Sequence, residues 1–225
     1  MPEGQHVAII DYGMGNLFSV ARACEIVGLR AAITTSHDVV LAADAAILPG
    51  VGAFGDAMER LRALDLVDVL REVAASGKPL MGICLGMQLL MTESHEFGRH
   101  QGLNIIGGEV VRLQPVSAVV QRLKVPQVGW NHIDRPSQPS WQGTLLEGLR
   151  DGEWMYFVHS FCAIPKDRGL IASTTQYGTV RFCSSVLRDN VFGCQFHPER
   201  SGPQGLRIYR NLAARLQHPV AEARR

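Results

Sequence analysis

Cys84 lies in Gly82-Ile83-Cys84-Leu85-Gly86, a G-x-nucleophile-x-G run between an apolar stretch and a segment of helical pattern. A nucleophile elbow has this form. The turn is sharp, and small flanking residues relieve clashes with neighbouring backbone. At a helix N-terminus, unpaired N–H groups favour a thiolate and can receive an oxyanion, with the Leu85 N–H as the obvious donor. A thiolate nucleophile needs an imidazole, and the imidazole needs an orienting carboxylate. Gln195-Phe196-His197-Pro198-Glu199 offers both. Pro198 biases His197 towards an extended conformation. In an extended chain, residues two apart share a face, so Glu199 is placed to reach the ring nitrogen that points away from Cys84.

Other residues fit around this chemistry. Gln88 lies four positions after Cys84, on the same helical face. Pro49-Gly50-Val51-Gly52 follows an apolar stretch. Its glycines allow backbone N–H groups to turn towards an acyl carbon, although an ordinary βα turn would use them too. Asp11-Tyr12-Gly13-Met14-Gly15-Asn16 is no phosphate loop: it lacks GxxxxGK[ST], and Phe18 occupies the last glycine position of GxGxxG. Free cysteine is among the most buried residue types, and that plain reading suits Cys24, Cys162, Cys183 and Cys194.

The elements required to hold these groups follow from apolar periodicity. Strands are predicted over 6–10, 29–34, 45–48 and 79–83. Helices are predicted over 16–27, 55–75 (Met58, Leu61, Leu64, Val67 and Leu70 as its stripe) and 85 to about 93. This alternation predicts an α/β fold, with a mostly parallel central sheet and helices on both faces. Beyond about residue 105, strand-like runs at 108–113, 154–159, 170–176 and 191–196 point to added antiparallel strands, with a final helix over 204–216. Residues 1–217 read as one domain without a clean internal linker, and 218–225 as a frayed tail.

The chain has 225 residues, 22 Lys plus Arg, 21 Asp plus Glu and a net charge of +1. That balance gives no reason to expect nucleic acid or an anionic membrane as partner. No apolar run approaches the ~20 residues of a membrane helix, and the N-terminus lacks the pattern of a secretory signal. Five cysteines without a CxxC pair argue against a disulfide framework or zinc ribbon. A reducing cytoplasm is the expected compartment, and neither metal nor cofactor is called for.

The cysteine elbow, His197-Pro198-Glu199 and the Pro49–Gly52 loop together resemble the class I (triad-type) glutamine amidotransferases. Asp11–Leu17, Val128-Gly129-Trp130-Asn131, Tyr156–Ser160 and Phe192–Glu199 resemble, within that superfamily, the glutaminase subunits of imidazole glycerol phosphate synthase. The resemblance spans residues 7 to 212. It implies that Cys84 attacks the amide carbon of L-glutamine, that His197 shuttles protons and that Glu199 holds its tautomer. It also implies that the backbone of Leu85, with that of Val51 or Gly52, stabilises the oxyanion. Gln88, Glu96, His159 and Ser160 would bind the glutamine. The implied partner is a (β/α)8-barrel cyclase that receives the ammonia through a dry channel, in histidine biosynthesis.

Three positions depart from the family pattern. Gln127 stands where Pro-His-x-Gly-Trp-Asn has histidine, Arg200 where His-Pro-Glu is followed by lysine, and Phe161 where His-Ser is followed by tyrosine. None belongs to the triad. The same glutaminase chemistry also feeds sugar-amidating synthases of surface-polysaccharide synthesis, an alternative that partner identity would separate. A triad cysteine peptidase is a further alternative, but it would have no use for Gln88. A non-catalytic module would have little need of all three triad residues.

Overall fold

The structure is a computed structural model that describes residues 4–114, 123–138 and 140–217. The tail expected at 218–225 lies outside the described residues.

The first half alternates as expected: β1 (His6–Ile10), α1 (Leu17–Ile26), β2 (Arg30–Thr34), α2 (His37–Ala42), β3 (Ala45–Gly50), α3 (Phe54–Ala63), α4 (Leu66–Ala75), β4 (Leu80–Cys84) and α5 (Leu85–Leu89). The second half is dominated by strands: β5 (Glu93–Ser94), β6 (His100–Gln101), β7 (Gly108–Arg112), β8 (Gln127–Ile133), β9 (Glu153–His159), β10 (Phe161–Pro165), β11 (Ile171–Tyr177), β12 (Val180–Arg188) and β13 (Val191–Cys194). The chain then closes on α6 (Gly202–Gln217).

Seven strands form the central sheet in the order β11-β12-β13-β4-β3-β1-β2. From β13 to β2 neighbours run parallel, while β11 and β12 join antiparallel. Alternate residues of β1 face opposite layers. Val7 and Ile9 pack with Val20 and Cys24 of α1 and with Ile208 and Leu212 of α6. Ala8 and Ile10 pack with Val40 of α2, Phe54 of α3 and Leu70 of α4. Burial on both faces explains why β1 and β3 read as continuous apolar runs. Two smaller sheets, β10-β7-β5-β6 and β8-β9, complete the fold.

Two predicted helices end early. The helix expected over 55–75 breaks at Asp65, which takes a left-handed φ of 54°. A stripe spaced strictly by three drifts about 60° per step around a 3.6-residue helix. The break resets the phase, so that Leu66, Val69, Leu70 and Val73 all face the core. The helix expected to reach about residue 93 stops at Leu89, because Glu93 and Ser94 leave it to pair with β6 and β7. Helix α2 was not predicted; Ser36, which accepts a hydrogen bond from the Val39 N–H, is the cap that marks its start. Strands β8, β10 and β12 were likewise not predicted.

Candidate active site

Strand β4 ends at Cys84, whose backbone takes φ 54° and ψ −107°. A non-glycine residue there is strained, at a cost on the order of 1–3 kcal/mol. The strain persists because the surroundings fix the turn. A Cβ on Gly82 would lie 2.8 Å from backbone atoms of Gly86 and Met87, and a Cβ on Gly86 would overlap the Leu48 carbonyl. Both flanking glycines are therefore required by close backbone approach, as the elbow reading expects. The turn aims Cys84 out of the sheet at the start of α5.

Parallel pairing of β4 with β13 sets Cys194 beside Ile83 and carries the next residues past the elbow. His197 is extended, with φ −103° and ψ 93°, in keeping with the proline after it. Glu199, however, lies in a 3-10 turn over Pro198–Arg200 and not on a continuing strand. That turn swings its carboxylate onto the ring: His197 Nδ1 donates to Glu199 Oε1 at 2.8 Å. The histidine backbone is clamped as well. Its N–H donates to the Tyr156 carbonyl, and its carbonyl accepts from the Ser201 hydroxyl at 2.7 Å.

His197 Nε2 makes no hydrogen bond, yet Cys84 is near enough to govern its charge. Burial alone would lower the proton affinity of the ring. Cys84 and Glu199 outweigh burial and push its pKa up to about 10, so His197 is an imidazolium at neutral pH. All five cysteines are free. Burial pushes Cys24 up to about 12 and Cys162 to about 11, and raises Cys183 and Cys194 further. These four are held as thiols.

A cavity of about 240 Å³ opens over the sulfur. It is lined by Val51, Gly52, Cys84, Leu85, Gln88, Glu96, His159 and Ser160, together with Pro126, Val158 and Phe161. Each binding residue expected from the sequence therefore meets Cys84 in one small space, while His197 and Glu199 are not part of its lining. Gln88 gives its amide hydrogens to the Phe161 carbonyl at 3.0 Å and Gln195 Oε1 at 2.9 Å, so what its side chain has left to offer is an acceptor, the carbonyl oxygen. Glu96 accepts from the Phe54 N–H at 2.7 Å and caps α3, whose own cap residue Ala53 has no side-chain bond. Burial raises the Glu96 carboxyl, and the Phe54 N–H works against that rise. Burial lowers the His159 pKa to about 4, so its ring is neutral. Nδ1 donates to the Phe161 carbonyl at 2.8 Å, which leaves Nε2 as a buried, unpartnered acceptor.

Pro126, Val158 and Phe161 were missed because β8, β9 and β10 bring them to the cavity through long-range pairing. Gln195 sits inside the His197 motif with nothing local to mark a role; only the structure shows that it touches both Gln88 and Cys84. Among the described residues, one cluster could hold a cation: Glu93, His95 and Glu109. Its groups are already engaged, His95 in a hydrogen bond with Glu109 and Glu93 in an ion pair with Arg99, each at 2.8 Å.

The family model described as glutamine amidotransferase class-I matches residues 8–216. The imidazole glycerol phosphate synthase subunit HisH of Syntrophotalea carbinolica is 50% identical over 209 residues, covering 92% of this chain and 98% of that one. The subunit of the same name from Aquifex aeolicus is 44% identical over 213 residues, covering 93% and 96%. Among solved structures, PurLQS from Thermotoga maritima superposes with a TM-score of 0.67 at 20% identity, covering 95% of this chain and 100% of that one. A crystal structure of a glutamine amidotransferase superposes with a TM-score of 0.66 at 19% identity, covering 92% and 98%. The two structures share the fold; the sequence relatives carry the kinship. The elbow, the buried histidine–glutamate pair and the small cavity lie in the matched span, and the chain belongs to the class I glutamine amidotransferase family, in the group of the imidazole glycerol phosphate synthase subunits HisH.

Proposed function

We propose that this chain is the glutaminase subunit of an imidazole glycerol phosphate synthase, hydrolysing L-glutamine at Cys84 and passing the ammonia to a cyclase subunit in histidine biosynthesis. The observation that carries the reading is the elbow cysteine facing the buried His197–Glu199 pair beneath a cavity of amino-acid size.

The chemistry follows from the charges. The thiolate of Cys84 attacks the side-chain carbonyl carbon, forming a C–S bond as the carbonyl electron pair moves to oxygen. The N–H of Leu85, at the start of α5, meets that oxyanion, and the N–H of Val51 or Gly52 supplies a second donor. His197 gives its proton to the leaving nitrogen, and the C–N bond breaks to release ammonia. Water then loses a proton to His197 and opens the thioester to glutamate. Glu199 keeps Nδ1–H fixed throughout. At the head group, Glu96 takes the α-ammonium and Gln88 accepts a hydrogen bond, with His159 and Ser160 on the opposite wall.

Ammonia in bulk water near neutral pH is mostly ammonium, which lacks the lone pair for attack. A partner that seals the site is therefore part of the reading, and the family's (β/α)8-barrel cyclase is the partner proposed. Several exposed apolar side chains support such a docked subunit. Phe18 lies in the first turn of α1 and Val51 follows β3, both at the carboxyl end of the parallel strands where Cys84 sits. Trp130 stands out from β8, packed edge-on against Tyr156, over which the Arg200 guanidinium lies at 4.9 Å. The guanidinium stacks well on an aromatic face, so arginine is accommodated where the family has lysine.

The test is reconstitution with the cyclase and its phosphoribosyl substrate. Wild type yields glutamine-dependent product. Cys84→Ala loses it while product formation from free ammonia persists. Glutamine-dependent turnover by Cys84→Ala would overturn the mechanism, and no product from the wild-type pair would overturn the partner.

A further inference from the structure

Gln195, the residue two before His197, is wholly buried. It lies just past β13, whose pairing with β4 sets Cys194 beside Ile83, so the same register carries residue 195 next to residue 84. A buried side-chain amide must have its hydrogen bonds met. Here the partners are the nucleophile and the floor of the cavity. Gln195 Nε2 donates to Cys84 Sγ at 3.6 Å, and Gln195 Oε1 accepts from Gln88 Nε2 at 2.9 Å.

The direction of these bonds is fixed by an acceptor that cannot reverse. The Phe161 carbonyl only accepts, so Gln88 must turn its NH2 group towards it, at 3.0 Å. That NH2 also meets Gln195, which must therefore present oxygen to Gln88. The Gln195 NH2 is left facing the sulfur. Flipping either amide would set two acceptors or two donors against each other. Orientation is thus passed from Phe161 through Gln88 and Gln195 to Cys84.

The neighbours of the sulfur favour opposite protonation states. The Val158 carbonyl, 3.7 Å from Sγ, accepts from S–H and stabilises the thiol. The Gln195 N–H donates and stabilises the thiolate, and hydrogen bonds to a charged partner are the stronger kind. His197 supplies charge from the triad side without a made hydrogen bond.

We propose that Gln195 is a catalytic residue: its side-chain N–H holds the Cys84 sulfur as an aligned thiolate before glutamine binds, with Gln88 and the Phe161 carbonyl fixing the direction of the donor. The proposal rests on Cys84 being the nucleophile.

The test uses the full chain and iodoacetamide, following carboxamidomethylation of Cys84 across the pH range, with Cys84→Ala giving the background from the other four cysteines. Thermal melting certifies that each variant is folded. In Gln195→Met the rate at neutral pH falls about tenfold, the size of effect expected for a lost hydrogen bond to a charged group, while the rate at alkaline pH is kept. In Gln195→Glu, which keeps the side-chain size, the profile moves to higher pH again, because a carboxylate replaces the donor. If Gln195→Met does not fold, Gln195→Glu decides alone. A pH profile identical to wild type in a folded variant overturns the role of Gln195 and leaves the nucleophile standing. Labelling of wild type equal to that of Cys84→Ala overturns both.

Discussion

Glu199 Oε1 accepts a hydrogen bond from Nδ1 of His197 at 2.8 Å, with the two side chains only 2% and 7% exposed. The ring keeps its proton against burial through this carboxylate and Cys84. Glu199→Gln preserves the shape and the acceptor but removes the charge. Burial then has more weight at His197, and the ring holds its proton less tightly. Glutamine turnover in the reconstituted complex should fall roughly 10²- to 10⁴-fold, and the alkaline limb of its pH profile should move to lower pH. A variant within threefold of wild type would show that the pair is structural only.

Glu96 separates binding from folding. Glu96→Gln still offers an oxygen to the Phe54 N–H, so the cap on α3 is retained and the melting temperature should stay close to wild type. In the role proposed for Glu96, the charge that would meet the ammonium of glutamine is lost. KM for glutamine should rise about tenfold, as expected when an ionic partner is neutralised, with kcat changed much less. A fall in kcat at constant KM would move Glu96 out of the binding role.

Gly86 packs against the carbonyl of Leu48 with no room for a side chain. Gly86→Ala should destabilise the protein by about 3 kcal/mol or more, as overpacking against unyielding backbone does. Urea denaturation checks this, and an unchanged midpoint would show that β3 and the elbow can separate.

His159 gives a pH signature of its own. Its folded pKa is depressed to about 4, below the ~6.5 of an unfolded chain. The unfolded state therefore binds its proton first, and the stability due to the neutral buried ring is fully present above the unfolded value and lost as pH falls towards the folded one. Between neutral pH and pH ~5 the wild type should lose on the order of 1–2 kcal/mol more than His159→Gln. Parallel urea midpoints in the two proteins would contradict the buried neutral ring.

The local geometry of the candidate groups was legible in the sequence because it is written locally. A glycine-flanked cysteine between strand and helix, and a histidine joined to a glutamate through proline, specify their own turns. Burial on both faces wrote β1 and β3 as unbroken apolar runs, and from these the parallel sheet could be read. The break at Asp65 was not legible, since a stripe of three-residue spacing looks like one helix until the sheet beneath it is known. Nor were β8, β10 and β12, whose partners lie far along the chain.

What the sequence alone determined was the strained turn at Cys84, the His197–Glu199 pair and the α/β class, because each depends on residues a few positions apart. What only the tertiary structure decided was the cavity. Glu96 enters it because α5 ends early and the chain folds back to cap α3, and Gln195 meets Cys84 because β13 lies beside β4. Pairing between distant strands sets which side chains share a space, and no local pattern encodes that register.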